Sequence, residues 1–238
     1  MLGLVFSTNI VLYGKNLLQL GADQNLALSA LPAFIGIGIA TGSMLASRWS
    51  GDKVELGLVP FGGAGLVFTG IMLFFTTSSY LLTAVMLVLT GIFGGLYIVP
   101  LYAYLQFVAG EHEKGRVMAA AGILNGLFLV IASFIYEILA VQLDMSADQI
   151  YLIMALVTIF AVIYICTVIP EYFIRFCGWL LTHTIYDIKI EGQENVPIKG
   201  AALLAPNHVS YVDALLLGAT IQRFVRFVMW KKFYDVPV

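Results

Sequence analysis

The sequence predicts an α-helical membrane bundle of six transmembrane helices, followed by the start of a soluble α/β domain. Of its 238 residues, 61% are hydrophobic and only 11% are charged, whereas roughly a quarter of the residues in a soluble domain are charged. Long apolar runs fill the first 170 residues, and a more polar pattern begins near residue 187. We therefore expect a transmembrane domain over residues 1–170, a linker over residues 171–186 and a second domain that begins with residues 187–238.

Six apolar segments are each about as long as the roughly 20 residues that cross a bilayer as a helix. They cover Leu2–Leu20, Ala27–Ser47, Leu56–Thr77, Tyr80–Val108, Val117–Val141 and Ile150–Ile169. Because lipid offers no hydrogen-bond partner to a peptide group, such segments cross the membrane as helices.

The loops between these segments alternate in charge. The loops after the second, fourth and sixth segments contain basic residues: Arg48 and Lys53, Lys114 and Arg116, and Arg175. The remaining loops are either uncharged or carry only acidic residues: Asp23, Asp144 and Asp148. Since loops rich in lysine and arginine stay in the cytoplasm, the segment after Ile169 is also predicted to be cytoplasmic.

Polar residues inside the apolar segments are candidates for transport, because a polar side chain in a span usually faces a cavity or a partner. They are Lys15, Asn16, Gln19, Gln106, Asn125 and Glu137. For Lys15 two interpretations remain open, a contact with substrate and a side chain that extends to the membrane interface. Glycine and proline are frequent in the spans, which suits both a moving bundle and ordinary helix packing.

Residues 171–186 mix aromatic, basic and polar side chains directly after the last span. This composition is typical of an amphipathic helix at the level of the lipid headgroups, and a plain connector is the alternative. The pattern then predicts alternating strands and helices. We expect strands over Asp187–Glu191, Gly200–Ala205 (buried) and Phe224–Met229, a turn at Asn195-Val196-Pro197 and a helix over Asp213–Ile221.

His208 and Asp213 are spaced for acid–base chemistry. They are five positions apart, so if a helix begins just after His208, the Asp213 carboxylate can reach back to the imidazole. The carboxylate would fix the tautomer while the other ring nitrogen accepts a proton from a substrate hydroxyl. Asn207 and Ser210 suit the turn and the N-cap of that helix. On spacing alone, a capped helix with an incidental histidine is the alternative.

The composition favours neither a nucleic-acid partner nor a metal site. A net charge of -2 is too small to indicate nucleic-acid binding. The two cysteines, Cys166 and Cys177, suggest neither a disulfide framework nor a metal centre.

The loop from Gly42 to Lys53 resembles the signature loop of the major facilitator superfamily. That signature has a glycine on the helix, an acidic or small residue, arginine, glycine and a basic residue, and the acidic position is Ser47 in this chain. In the family, charges of this loop lock one transport state, which implies such a role for Arg48 and Asp52.

The stretch from Lys114 to Phe128 is similar to the corresponding loop and helix of lysophospholipid transporters, a branch of that superfamily. These transporters have twelve helices in two six-helix halves. The resemblance therefore implies that the six spans form the C-terminal half. Lys15 and Asn125 are then candidates for contact with the transported lysophospholipid.

The tract over residues 185–238 resembles the glycerophospholipid acyltransferases, whose first block is Asn-His-x4-Asp, here Asn207, His208 and Asp213. The resemblance implies that His208 is the general base that deprotonates the free glycerol hydroxyl of a lysophospholipid, and that Asp213 orients His208. Asn207 and Ser210 would support them, with Ser210 as a helix cap, since no acyl-enzyme is required. The acyl donor would be a thioester, acyl-CoA or acyl-carrier protein, and no bound cofactor is expected.

These resemblances imply a bacterial inner-membrane fusion that moves a lysophospholipid and re-acylates it on the cytoplasmic side. The alternative is a transporter whose acyltransferase part is inactive. Later acyltransferase blocks have no counterpart before Val238. We therefore expect that a longer chain supplies the other transporter half and the rest of the acyltransferase, and that the acyltransferase part is inactive in this portion alone.

Overall fold

A computed structural model describes most of the first 168 residues and parts of the remainder. The described residues are 2–20, 24–50, 54–76, 79–168, 174, 177, 178, 180, 181, 184, 185, 188, 191, 192, 195–197, 200–210, 212–221 and 225–228. The chain divides into two compact units, Met1–Ile169 and Pro170–Val238.

In the first unit, the helices follow the apolar segments of the sequence. They are α1 (Leu2–Asn16), α2 (Asn25–Ser50), α3 (Leu58–Phe75), α4 (Tyr80–Val108), α5 (Lys114–Glu137, continued by a π-helical turn at Ile138–Gln142) and α6 (Ala147–Val168). The predicted boundaries agree with these to within a few residues, because the length of an apolar run is a local property of the sequence.

Five of these helices, α2 to α6, are long and apolar enough to cross a membrane within the part of the chain that the structure describes. The first helix, α1, has 15 residues. At 1.5 Å per residue it would span about 22 Å, less than the roughly 30 Å of a bilayer's hydrocarbon core. The structure thus supports five of the six predicted spans on length and composition.

Glycines bring α2 and α4 into backbone contact. Gly38 and Gly42 on α2 face Gly91 and Gly95 on α4. A Cβ atom at Gly38 would lie 2.8 Å from the Gly91 Cα, and one at Gly91 would lie 2.7 Å from the Gly38 Cα. Small residues spaced four apart let two membrane helices approach closely, and close packing is a main source of their association. These four glycines therefore have a packing role.

Glycines of α3 likewise allow close contact with two neighbouring helices, α4 and α6. A Cβ at Gly62 would lie 2.7 Å from the backbone nitrogen of Tyr97 on α4. A Cβ at Gly70 would lie 2.9 Å from the Cβ of Ala155 on α6. The unit is therefore built as a row in which α4 lies between α2 and α3, and α3 lies between α4 and α6.

A buried cluster joins these helices to α1. The Tyr13 hydroxyl donates a hydrogen bond of 2.9 Å to the Leu73 carbonyl on α3, and the Tyr13 and Tyr151 rings lie 5.5 Å apart. Leu31 of α2 and Leu87 of α4 are also fully buried in this cluster. The cluster therefore ties five helices together near the C-termini of α1 and α3.

The fifth helix packs differently, because Ala132 is its one buried residue. Many of its large apolar side chains are exposed: Ile123, Leu124, Leu127, Phe128, Val130 and Phe134. An apolar surface of this kind suits contact with lipid or with other transmembrane helices.

In the second unit, a short helix forms where it was predicted. It covers Val212–Thr220 (α7), which confirms the helix expected over Asp213–Ile221. The Asn195 amide donates a 3.0 Å hydrogen bond to the Gly192 carbonyl, and Gly192 has a φ of +73°. This hydrogen bond precedes the turn predicted at Asn195-Val196-Pro197, which stays a prediction. The described residues between 174 and 185 are helical.

The predicted strands are not formed by the described residues. Residues 200–205 have no regular structure and Leu203 is 90% exposed, so the buried strand over Gly200–Ala205 is wrong for this structure. Residues 225–228 form no strand either, and Val228 is 98% exposed. Of Asp187–Glu191, only Ile188 and Glu191 lie among the described residues, both outside any strand. A strand is stable only when a neighbour pairs with its backbone groups, and sequence pattern does not supply that neighbour.

The glycine contact can be tested with alanine at two positions of α2. Gly38→Ala would place a methyl group against the α4 backbone, whereas a Cβ at Gly36 meets no atom within 4 Å. We expect Gly38→Ala to lower the free energy of unfolding by about 1–3 kcal/mol, and Gly36→Ala to be neutral or to raise it by up to about 1 kcal/mol through helix propensity. Thermal unfolding of the purified protein in detergent measures both, and equal effects of the two substitutions would contradict the proposed backbone contact.

Candidate acyl-transfer site

The site lies at the start of α7, where side chains accept hydrogen bonds from backbone amides. The Ser210 Oγ accepts a 3.4 Å hydrogen bond from the Val212 amide, and the Ser210 amide donates a 2.8 Å bond to Asp213 Oδ2. The Ser210 hydroxyl and the Asp213 carboxylate thus each accept from a backbone amide at the helix start, and such side-chain caps satisfy amides that a helix N-terminus leaves unpaired. Ser210 is thus placed as the helix cap predicted from the sequence.

The Asp213 carboxylate also holds the imidazole of His208. Its Oδ2 atom lies 3.1 Å from His208 Nδ1 and accepts a 2.7 Å hydrogen bond from the Val209 amide. Since an ionised carboxylate only accepts hydrogen bonds, Nδ1 carries the proton of this pair. In the neutral ring, Nε2 then has a free lone pair and can accept a proton.

The charge of Asp213 is stabilised by the backbone. Hydrogen bonds from the Ser210 and Val209 amides, with a smaller contribution from His208, lower the pKa of the Asp213 carboxyl below its usual value of 3.8. The carboxylate therefore stays ionised at neutral pH and keeps the imidazole in one orientation.

The histidine is open to a partner molecule. Its side chain is 73% exposed, whereas that of Asp213 is 24% exposed. The neighbouring Val209 is 91% exposed. The side chain of Asn207 is exposed as well, and within the described part of the chain it makes no hydrogen bond. The pair therefore has the arrangement of a general base held from behind by a carboxylate.

Three of the four residues predicted for transport lie among the described residues. Lys15 is exposed in the last turn of α1, a position that favours the interfacial interpretation of its charge. Arg48 is exposed in the last turn of α2, and Asp52 lies outside the described residues. Asn125 lies within α5, and its amide donates a hydrogen bond to the Tyr102 hydroxyl on α4.

Sequence reasoning missed some partners of these residues. It gave no sign of Tyr102, because an aromatic residue inside an apolar span has no distinguishing neighbour. It also missed that the Val209 and Ser210 amides hold Asp213, although the Ser-x-x-Asp spacing is visible in the sequence. Among the residues that the structure describes, no group of three or more His, Cys, Asp or Glu side chains could hold a metal ion.

The ionisation of Asp213 can be measured directly. Because the folded-state pKa is lowered, the stability that the carboxylate gives to the start of α7 is present above pH 3.8 and is lost as the pH falls through the lowered folded value. We expect the ¹³C carboxyl signal of Asp213 to titrate with a midpoint below 3.8. Comparison with Asp213→Asn identifies the signal, and a midpoint at or above 3.8 would count against the hydrogen-bonded geometry.

Comparison with known proteins addresses both units. The sequence profile of the Major Facilitator Superfamily matches residues 1–133, and the acyltransferase profile matches residues 187–238. The chain is 34% identical over 105 residues to the lysophospholipid transporter LplT of Photorhabdus laumondii. It is also 34% identical over 104 residues to the proteins of the same name from Yersinia pestis and Yersinia pseudotuberculosis.

These matches cover 43% of this chain and 24% of each transporter, so the aligned part spans about a quarter of the relatives' length. No solved structure matches the chain. The helices and the profile agree on an integral membrane protein. The chain belongs to the Major Facilitator Superfamily, and it carries an acyltransferase-family segment after its transmembrane unit.

Proposed function

We propose that this protein moves a lysophospholipid across the membrane and transfers an acyl group to it. The observation that carries the enzymatic half is the hydrogen bond between Asp213 Oδ2 and His208 Nδ1, at 3.1 Å, with the histidine side chain exposed. It leaves Nε2 as the atom that can receive a proton, next to a surface that a substrate can reach.

The proposed reaction is a direct acyl transfer. His208 Nε2 removes the proton from the free glycerol hydroxyl, and the hydroxyl oxygen attacks the carbonyl carbon of the donor thioester. The C–S bond breaks, the ester forms, and the thiol leaves with the proton that His208 returns. General base assistance of this kind contributes roughly 10²- to 10⁴-fold to the rate. Acyl-CoA and acyl-carrier protein are both donors of the required thioester class.

The hydroxyl of Ser210 is assigned to the helix cap in this mechanism. Its Oγ accepts from the Val212 amide at 3.4 Å, and its own amide is bonded to Asp213. No covalent acyl-enzyme is needed, because the glycerol hydroxyl attacks the donor directly. The segment would be the start of an α/β acyltransferase domain. His208 and Asp213 are in contact although the described residues form no strand.

The transferase is proposed to act on the cytoplasmic face of the inner membrane. Arg48 lies in the last turn of α2, and Lys114 and Arg116 lie in the first turn of α5. In a bundle whose helices alternate in direction, these residues share one end with the C-terminus of α6. Because basic residues mark the cytoplasmic side, the segment after α6 would emerge there. The proposal assumes that α1 also crosses the membrane, in addition to the five spans α2 to α6.

The linker is proposed to lie at the membrane surface. Ile174, Leu181 and Ile185 belong to its described helical residues and are 68%, 51% and 63% exposed. If one helix runs through the linker, these three positions fall within a narrow arc of its surface at 100° per residue. An exposed apolar stripe on a helix next to a membrane span suits burial at the headgroup level. Tethering at that surface would raise the effective concentration of the lipid substrate.

Transport is the second activity, and Asn125 is the residue that the structure favours for it. Its amide donates to the Tyr102 hydroxyl of the neighbouring helix, so a polar pair lies inside the membrane unit, while Asn125 itself remains exposed. Polar groups at membrane depth usually line a pathway. The relatives named as lysophospholipid transporters support the same substrate class. If the acyltransferase segment is inactive, transport alone remains as the alternative function.

Replacement of His208 tests the transferase. In membranes that contain the complete protein, we expect His208→Gln to reduce acyl transfer to a labelled lysophospholipid by about 10²- to 10⁴-fold, because the general base is lost. The matched control is His112→Gln, which changes an exposed histidine of the loop before α5, and it should leave the rate unchanged.

Ser210→Ala should retain most of the activity, because Ser210 serves as a cap. Full activity of His208→Gln would overturn the assigned base, and a Ser210→Ala variant as inactive as His208→Gln would point to an acyl-enzyme instead. Membranes that take up lysophospholipid but form no acylated product would favour the transporter alternative.

Replacement of Asn125 tests the transport role. We expect Asn125→Leu to lower uptake of labelled lysophospholipid by about tenfold, because one intramembrane hydrogen-bonding group is worth roughly 1–2 kcal/mol. Ser133→Ala is the control, since this exposed hydroxyl on the same helix bonds only to the Leu129 carbonyl of its own helix. Uptake that is unchanged in Asn125→Leu would remove the residue from the pathway.

A further inference from the structure

Among the described residues of the first unit, two side-chain oxygens are buried and have no hydrogen-bond partner. They are Oδ1 of Asn9 and Oδ1 of Asp148. Asn9 is fully buried on α1, and Asp148 lies in the first turn of α6. Buried polar atoms are nearly always paired, so two such oxygens mark a place where a further positive or proton-donating group fits.

The two residues lie close to each other. The Asn9 Nδ2 donates a 2.7 Å hydrogen bond to the carbonyl of Ala147, the residue that precedes Asp148. One turn further along α1, Tyr13 has an electrostatic interaction with Asp148. The stretch of α1 from Asn9 to Tyr13 therefore lies beside the first turn of α6, and one of the two N–H donors of the Asn9 amide is used by the α6 backbone.

The described residues around Asn9 and Asp148 supply hydroxyl groups. The Tyr13 hydroxyl donates to the Leu73 carbonyl at 2.9 Å, and the Thr83 hydroxyl donates to the Thr76 carbonyl at 3.2 Å. The titratable groups of this cluster are the tyrosines of α1, α5 and α6: Tyr13, Tyr136 and Tyr151. Among the described residues, the ion pairs are Glu113 with Arg116 and Asp213 with His208, so Asp148 has no basic partner there.

We propose that Asn9 and Asp148 form a binding site for a sodium ion. The ion would take the two unpaired oxygens as ligands, because hard cations prefer carboxylate and amide oxygens. A bound sodium ion would neutralise the Asp148 carboxylate beside the buried Asn9 amide.

The consequence of binding is structural. The site joins α1 to α6, and α6 leads to the acyltransferase segment. A bound cation would therefore fasten these two helices together. The site is separate from Asn125 and from His208, so the inference does not depend on the proposed transport or transferase roles.

Thermal unfolding of the purified protein in detergent tests this site. We expect sodium chloride, compared with choline chloride at equal ionic strength, to raise the Tm by roughly 3–6 °C once the ion is at about ten times its Kd. Asp148→Asn should abolish the rise, because the amide removes the charge and supplies a donor of its own. Asp144→Asn, which changes an exposed acidic residue of the preceding loop, should retain it.

A wild-type Tm that does not respond to sodium would overturn the proposal, and so would a rise that persists in Asp148→Asn. Binding of ²²Na⁺ to the wild-type protein provides the check if Asp148→Asn does not fold.

Discussion

The backbone contact between α2 and α4 is the constraint on which the membrane unit depends. Gly38, Gly42, Gly91 and Gly95 leave no room for side chains between the two helices. In lipid, helices gain little from excluding one another's apolar surface, so this interlocking supplies much of their association. With α2 fixed on one side of α4, α3 packs on another side through Gly62, and α6 follows through Gly70.

This packing order leaves α5 outside the tight row and explains where its polar residue lies. Ala132 is the buried residue of α5, and Asn125 meets Tyr102 of α4. A loosely packed helix with a polar contact at membrane depth is suited to a changing environment, as transport requires. The tightly packed glycine contact and the exposed α5 therefore differ in their roles within the membrane unit.

The acyltransferase segment is organised by a local interaction of a different kind. The described contacts of this site lie between residues 208 and 213: the Asp213 carboxylate contacts His208 and accepts from the Val209 and Ser210 amides, and the Ser210 hydroxyl accepts from the Val212 amide. Helix capping of this kind needs no distant partner, because each donor and acceptor is within one turn of the helix start. The contact between His208 and Asp213 therefore forms although residues 200–205 have no regular structure.

The same distinction explains what could be predicted from the sequence. The helices of the first unit and α7 follow from apolar run length and capping residues, and the contact of His208 with Asp213 follows from their spacing, since all of these are local. The strand over Gly200–Ala205 failed because strand pairing is set by residues far along the chain. The partner of Asn125 and the facing of Asn9 with Asp148 depend on how helices pack, which no single apolar segment specifies.

The central claim is that transport and acyl transfer act in sequence on one lipid. Its most direct test is product formation in proteoliposomes that have the acyl donor sealed inside and labelled lysophospholipid added outside. The account predicts acylated product inside, lost in His208→Gln, and reduced in Asn125→Leu only when the lysophospholipid is supplied from outside. The account would be contradicted if Asn125→Leu formed product at the same rate whether the lysophospholipid was supplied outside or inside. It would also be contradicted if product formed without His208.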